Sequence, residues 1–521
     1  MGKNLNFLQI LLLTVVVAGI PSAKLGIFSL SRGLAPEKCL SSDAESWVYQ
    51  ASQLQILKTQ ISDYSYLNIF LNLLVKATQV TGFSIFSTSI LMSWACSIVF
   101  GFLCFKIAEV FLAFGYSVFF SALCLLETHV LGGTTFGCSP FGIMPRELAL
   151  CIAIYILYIK LSFSVNSAPT IKNTLIITYA ATGILFYIYP PQALGLFLLI
   201  LGFDLINVRG SKNPKQLIIA LLTFGIIATP FAVSYLMATK AGTPVDQNIL
   251  KQRNSFMLLT GFDSNTYLYL RRFLYQTTIL FAAAVFIAKV YPRWLRDRAK
   301  SYLTPFIIVS LLLSVLGLYL EKNTGLITLF ISRSSIFYAL FFYLFCLLML
   351  QKYNQETQIK LKVPIILLVV ISLIINTNLF GFIRQCRSEF ILQPKTLEFF
   401  SIIDKHAYKV EKGSLFLVSY SPERDYAAMF RSYTGLGVFV CDKEGGISLV
   451  DGDLAKNWAN RTRVQNQILS LVSLEEVKKV AKQLRVTSLI LATEDVSVNV
   501  QLNKELKRIA AGRSFVEILV N

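Results

Sequence analysis

Apolar blocks of about 17–22 residues recur from Phe7 to Phe380, separated by short polar stretches, and then the pattern stops. A helix rises about 1.5 Å per residue and bilayer hydrocarbon is about 30 Å thick, so each block is close to the length that crosses a membrane. Beyond Phe380 the chain reads as water-soluble. The sequence therefore predicts an α-helical polytopic membrane protein with about 11 transmembrane helices (range 10–12) over 1–380. A linker at 381–393 and a small C-terminal extracytoplasmic α/β domain at 394–521 follow.

Only 15% of residues are charged, against about a quarter in a soluble chain. The net charge of +19 sits in short loops between apolar blocks, which is a topology signal and excludes nucleic acid as the expected partner. Nine cysteines occur without a CxxC pair. Cys39, Cys138, Cys386 and Cys441 fall outside the hydrocarbon on the non-cytoplasmic side, where a disulfide can form, with its pairing undetermined. Two histidines, His129 and His406, exclude a histidine-rich metal site.

Spans are expected near 7–28, 84–105, 108–126, 147–165, 173–189, 192–208, 217–236, 272–290, 303–320, 334–350 and 363–380. With the N-terminus cytoplasmic, every inner connection is basic: Lys106, Lys172, the 209–215 loop, the 293–300 loop and the 352–362 loop. This is the positive-inside pattern, and it fits a bacterial inner membrane. The segment 64–80 is apolar but short and carries Lys76 and Gln79. Counting it as a span would place the later basic loops outside, so an amphipathic helix is the alternative. The first block reads as an uncleaved anchor in preference to a signal peptide.

In the C-terminal region, 414–419, 437–441, 486–492 and 515–519 have the β-branched and aromatic content of strands. Helices are expected at 396–403, 473–484 and 500–511, the second with Ser473 as N-cap. The region carries 18 basic and 15 acidic residues, a balance that disfavours a strongly charged partner. It contains no GxGxxG, Walker or GxSxG motif.

Chemistry is concentrated in the outer connections. In the first, Asp43 and Glu45 lie two apart, followed by Trp47 and Tyr49. A carboxylate there can deprotonate an acceptor or hold a divalent cation against a phosphate, while an aromatic ring can pack on a sugar. A solvated loop with incidental acids is the competing reading. The second connection runs from Glu127 through His129 to Arg146, and its glycines and prolines indicate turns in place of helix or strand. Arg146 can clamp a phosphate, and so can Arg271, Arg272 and Arg333, which sit on the face that positive-inside reasoning disfavours. Headgroup anchoring is the alternative for these cations.

The residues Asp43, Glu45 and Tyr49, set beyond a first span in a long outer loop, resemble the acidic loop motif of the GT-C superfamily of integral-membrane glycosyltransferases. The likeness is to bacterial members related to protein mannosyltransferases and lipid-A aminoarabinose transferases, and it covers 1–380 in topology. Ala44 separates the acids where the family's commoner form has them adjacent. Phe430-Arg431-Ser432-Tyr433-Thr434-Gly435, Val438, Phe439 and Trp458-Ala459-Asn460-Arg461 resemble the tail of a group of uncharacterised bacterial membrane proteins with GT-C-like topology. The resemblance implies a lipid-phosphate-sugar-dependent glycosyltransferase of the cell envelope. It would move a sugar from a polyprenyl-phosphate donor to a hydroxyl on a glycan, lipid or protein acceptor. Asp43 or Glu45 would be the base, Arg146, Arg271, Arg272 and Arg333 would meet the lipid phosphate, and Trp47, Tyr49 and His129 would contact substrate. A divalent cation (Mg or Mn) is optional. The rival expectations are a transporter of a lipid-linked or small anionic substrate, for which Lys76, Glu109 and Asp204 are the charged residues within or near apolar segments, and a non-enzymatic envelope assembly protein.

Overall fold

The computed structural model describes residues 5–32, 34–57, 67–131, 134–166, 171–208, 214–241, 246, 249, 270–279, 298–323, 331–356, 362–383, 394–407, 414–419, 426–441, 452–493 and 498–520. Its membrane part is a helical bundle. The first helices are α1 (Phe7–Arg32), α2 (Ser42–Leu57), α3 (Leu67–Thr81), α4 (Ile85–Glu109) and α5 (Phe114–Leu125). A hairpin of β1 (Thr128–Val130) and β2 (Thr134–Phe136) follows. Next come α6 (Pro145–Asn166), α7 (Ile171–Leu185), α8 (Pro190–Val208) and α9 (Pro214–Ala241). Then α10 (270–279), α11 (Arg298–Asn323), α12 (Ser335–Glu356) and α13 (Lys362–Asn376) complete the bundle.

Five helices among the described residues are both long and apolar enough to cross a bilayer: Phe7–Leu30, Ile85–Glu109, Pro214–Val233, Leu303–Leu320 and Ile331–Gln355. Four shorter apolar helices accompany them, at Ile69–Thr81, Phe114–Leu125, Thr174–Leu185 and Pro190–Ile206. Among the described residues the expected count of about eleven is corrected to five, and for the shortest helices the reason is length. The 12 residues of α5 rise only about 18 Å and the 15 of α3 about 22 Å, both short of the hydrocarbon thickness. The expected span at 272–290 lies partly outside the described residues, and the one at 363–380 is helical over Lys362–Asn376, 15 residues. Helix α3 buries Phe70, Leu71, Leu74 and Val75 and exposes Ile69, Leu73 and Val80, so it is a one-sided helix beside α2 and α4.

The bundle has a centre and a rim. In the most apolar 18-residue window of 331–355, 94% of the residues are buried inside the protein, whereas in that of 214–233 only 17% are, and its apolar side chains turn outward. Around the central helix, Phe306 stacks between Phe203 and Phe341, at ring separations of 4.1 and 4.9 Å. Two acids near apolar segments are paired. Glu109 meets Lys106 one turn away at 2.8 Å. Asp204 of α8 meets Lys160 of α6 at 2.5 Å and accepts the Tyr179 hydroxyl of α7 at 3.2 Å. This buried cluster ties three helices.

The C-terminal region contains α14 (Pro394–Ala407), β3 (Leu415–Val418), α15 (Tyr426–Thr434), β4 (Gly437–Val438), α16 (Gly452–Leu469), α17 (Leu474–Gln483), β5 (Ser488–Ala492), α18 (Val500–Ala510) and β6 (Phe515–Leu519). Its sheet has the order β4-β3-β5-β6, with β3 parallel to β4 and β5, and β6 antiparallel to β5. Every residue of β5 is buried, as expected of a central strand covered on both faces. Ser473 caps α17 by accepting the Glu476 N–H at 3.3 Å. One apolar cluster joins Phe399, Phe416, Tyr426 and Phe430 of this region to Phe28 of α1 and Cys39 of the first outer connection. The region therefore sits on the face of the bundle where the first two outer connections lie. Most of the expected 381–393 linker lies outside the described residues.

Removing one partner of a buried ion pair leaves the other charge uncompensated, at a cost of about 3–5 kcal/mol. Lys160→Met is therefore expected to lower the thermal midpoint of the protein in nanodiscs sharply. Lys160→Met with Asp204→Leu should recover most of that loss, and a double variant no better than the single would refute this account of the pair.

Candidate active site on the outer face

The first outer connection folds as helix α2, and this decides how its two acids are presented. At about 100° per residue, positions two apart point roughly 200° from one another. Glu45 is fully buried on the side facing α15, where its backbone carbonyl accepts the Ser432 hydroxyl at 2.8 Å. Asp43 is half-buried and lies in the field of Arg146.

That meeting depends on the second outer connection. The Ser41 N–H donates to the Phe141 carbonyl at 2.8 Å, and Gly142 (φ +103°) backs onto α2. A Cβ at Gly142 would stand 2.5 Å from both the Ala44 and Leu40 side chains. Three residues on, Pro145 opens α6, a favoured place for proline. Glu147 reaches back to the Met144 N–H at 3.3 Å and also accepts the Ser139 N–H at 3.2 Å, which is half of a capping box. Arg146 is thus fixed at the first turn of α6, within electrostatic reach of Asp43, Glu147, Tyr189 and Glu127.

The stretch 127–136 corrects the expectation of turns alone. Glu127 takes a left-handed backbone (φ 62°), and a hairpin follows that pairs Thr128 with Phe136 and His129 with Thr135. The Glu127 carboxylate is ion-paired with Lys24 of α1, and its carbonyl accepts the Asn378 N–H at 2.7 Å. The Thr128 and Tyr343 hydroxyls are 2.6 Å apart, and Ser335 donates to the Leu131 carbonyl at 2.8 Å, so the hairpin is pinned to α12. His129 interacts with Asn378, Glu127, Arg272 and Arg146. Burial, then the positive charge of Arg272, pushes its pKa down to about 4, against the opposing pull of Glu127 and Asn378. Arg333 hydrogen-bonds the Tyr189 hydroxyl.

The structure therefore gathers Asp43, His129, Arg146, Arg272 and Arg333 around Glu127 and Tyr189. It does not bring the other expected residues there. Glu45 and Tyr49 face the C-terminal region, with Arg431 at 4.5 Å over the Tyr49 ring. Trp47 packs edge-on against Phe70 of α3 at 5.9 Å, and Arg271 is exposed. Most of the 237–271 connection lies outside the described residues. Lys24 and Asn378 are site neighbours that sequence reasoning missed. For Lys24 a signal was present, since it is a cation near the outer end of the first span. Among the described residues no group of three or more His, Cys, Asp and Glu side chains is arranged to hold a metal ion, and the acid nearest His129 is engaged by Lys24. The optional Mg or Mn expected from sequence thus finds no gathered donor set there. The described cysteines are free thiols, with the Cys138 and Cys151 sulfurs 3.9 Å apart. Cys386 lies outside the described residues.

No protein-family model matches the chain, and no curated protein matches it. Solved structures do. The apo oligosaccharyltransferase of Archaeoglobus fulgidus aligns at a TM-score of 0.51 and 10% identity, over 94% of this chain and 70% of its own. The same enzyme tethered through a disulfide bond to an acceptor peptide containing the NVT sequon aligns at 0.51 and 10% identity, over 94% and 69%. Its complex with an inhibitory peptide and a dolichol-phosphate gives 0.49 and 10% identity, over 94% and 70%. The chain thus has a polytopic, GT-C-like membrane fold with a strand-containing C-terminal region on the outer face. The expectation of a hydroxyl acceptor is corrected by the tethered complex. The NVT sequon of that acceptor peptide opens on asparagine, whose side chain offers an amide nitrogen.

Two outcomes are expected. Gly142→Ala, forced into a left-handed backbone against Ala44, should destabilise the protein by about 1–3 kcal/mol, read as a lowered melting temperature, whereas Gly115→Ala, with open space around it, should not. His129 has a folded pKa of about 4 below an ordinary 6.5, so the unfolded chain binds the extra proton. The contribution of neutral His129 is complete above about pH 6.5 and declines as pH falls toward 4. The melting temperature should drop less between pH 7 and pH 4.5 in His129→Gln than in the wild type; identical drops would contradict the shift.

Proposed function

We propose that the protein is a lipid-phosphate-sugar-dependent glycosyltransferase working on the outer face of its membrane, which we take to be a bacterial inner membrane. The observation that carries this reading is the meeting of Asp43 with Arg146 beside His129, Arg272 and Arg333 on one face of a GT-C-like bundle. A polyprenyl-phosphate-linked sugar presents an anionic leaving group at the membrane surface, and guanidinium groups suit it through paired N–H donors. The bundle likeness to bacterial mannosyl- and aminoarabinose transferases is retained for topology. The acceptor class follows the archaeal oligosaccharyltransferase and is a peptide with an amide side chain.

In the transfer, the bond from the anomeric carbon to the phosphate oxygen breaks and its electrons leave with the lipid phosphate. The bond from the anomeric carbon to the acceptor nitrogen forms, and an acceptor N–H proton passes to a carboxylate, which we assign to Asp43. Arg146, Arg272 and Arg333 neutralise the departing phosphate as charge develops on it. Neutral His129 can donate or accept one hydrogen bond without adding to the positive field. No step is assigned to a metal ion.

Asp43→Asn, produced at normal membrane levels, is expected to lower transfer at least about 100-fold, read as build-up of the lipid-linked donor in a complemented deletion strain. Glu45→Gln should act through stability, with its residual activity following the amount of folded protein. Wild-type donor and glycan levels in Asp43→Asn would sink the assignment.

A further inference from the structure

The motif Phe430-Arg431-Ser432-Tyr433 falls on α15, and α15 lies on α2. Ser432 donates to the Glu45 carbonyl at 2.8 Å. The Arg431 guanidinium is 4.5 Å from the Tyr49 ring centre. The Tyr433 hydroxyl donates to the Glu37 carbonyl at 2.9 Å, and its ring stacks on Phe86 of α4 at 4.7 Å, with 10° between the planes. Just upstream, Lys38 pairs with Asp404 of α14 at 3.0 Å and lies 5.1 Å from the Phe400 ring centre.

These contacts reach α2 on one side only. Glu45 and Tyr49, four residues apart, share a helix face, and Asp43 lies on the opposite side, in the field of Arg146. A third face, through Ala44, Val48 and Ala51, packs in the cluster that contains Phe70, Leu71 and Leu74 of α3. Ala44 on that face abuts Gly142 and sets where α2 sits, while the contacts of α15 bear on the neighbouring face and oppose a roll about that point. A roll of about 20° in a helix roughly 10 Å across carries a side-chain tip about 2 Å. Misplacement by about 1 Å can cost a reaction about 100-fold.

We propose that α15 of the C-terminal region is the positioning element of the acidic helix: Arg431 and Ser432 fix the roll of α2, so that Asp43 meets Arg146 only while this region is docked. The role of Asp43 in transfer rests on the function proposed above; its placement by α15 does not. The C-terminal region in this account completes the site from behind, and Arg431 and Ser432 are positioning residues that do not touch the reacting atoms.

The test uses the full chain in lipid nanodiscs. Asp43→Cys is alkylated with a charged, water-soluble maleimide, and the signal of the parent chain is subtracted. Adding Arg431→Gln and Ser432→Ala is expected to change the alkylation rate at position 43 at least fivefold. Ala51→Cys, on the packed face, should stay protected in both backgrounds, which shows that the fold is kept. Should it become reactive, Arg431→Lys with Ser432→Ala replaces the pair, and the same fivefold criterion applies. An unchanged rate at position 43 overturns the proposal whatever the activity.

Turnover is measured with polyprenyl-phosphate-linked sugars extracted from the source membranes. It should fall at least tenfold in Arg431→Gln/Ser432→Ala with Asp43 intact, while the donor KM stays within twofold. A raised donor KM with an unchanged alkylation rate would instead mean that the region contacts substrate, which also overturns the proposal. Full turnover in Asp43→Asn would remove the function assigned to Asp43 and leave the alkylation test of α15 standing.

Discussion

The contact between Gly142 and Ala44 sets the rest of the site. Two outer connections, one before α3 and one before α6, touch where neither has room for another atom. A close approach of this kind converts two otherwise independent segments into one unit. Because α2 is seated there, Asp43 comes to Arg146. Because Pro145 and Glu147 start α6 directly after the contact, Arg146 has little choice of position. The hairpin at 128–136 and the Arg333–Tyr189 bond then close the same neighbourhood from α12 and α8.

Charge is managed differently at the two ends of the bundle. Within the helices, Lys160 and Asp204 neutralise one another, with Tyr179 completing the acid's hydrogen bonding, so this cluster carries no net charge. On the outer face, Arg146, Arg272 and Arg333 converge near Asp43, while Glu127 is committed to Lys24 and Glu147 to the Ser139 and Met144 N–H groups. An excess of guanidinium groups beside Asp43 suits a reaction in which an anion leaves and a proton is taken up.

Much of this was legible in the sequence, and the limits of legibility have physical causes. Hydropathy revealed the polytopic class because insertion into hydrocarbon is a composition-driven event. It overcounted the spans because a composition window does not register where a helix stops: α5 ends at Leu125 and the backbone turns left-handed at Glu127. Strands of the C-terminal region were readable from β-branched runs, whereas α15 and α16 were not assigned, since each carries a mixed face that is fixed only by packing. In the site, the outer-face cations were found by their violation of the positive-inside rule, a rule that also picks out Lys24. The choice between Asp43 and Glu45 was unreadable while 42–50 was taken as a loop. Once the stretch is helical, a spacing of two puts them on opposite sides, one toward Arg146 and one toward α15.

The central helix carries one more consequence. A span enclosed on all sides by protein has no lasting contact with lipid, yet it must pass through lipid to reach its place. Its aromatic side chains, Phe337, Tyr338, Phe341 and Tyr343 among them, serve first as a ticket into the bilayer and afterwards as the filling of the bundle. Such a segment cannot be seated until α5, α8, α11 and α13 stand around the gap it fills. Three of those four elements precede it in the chain, so most of the wall is synthesised before the plug, and α13 closes over it afterwards. Errors in folding would therefore collect at a late stage, in a nearly complete bundle with an empty middle.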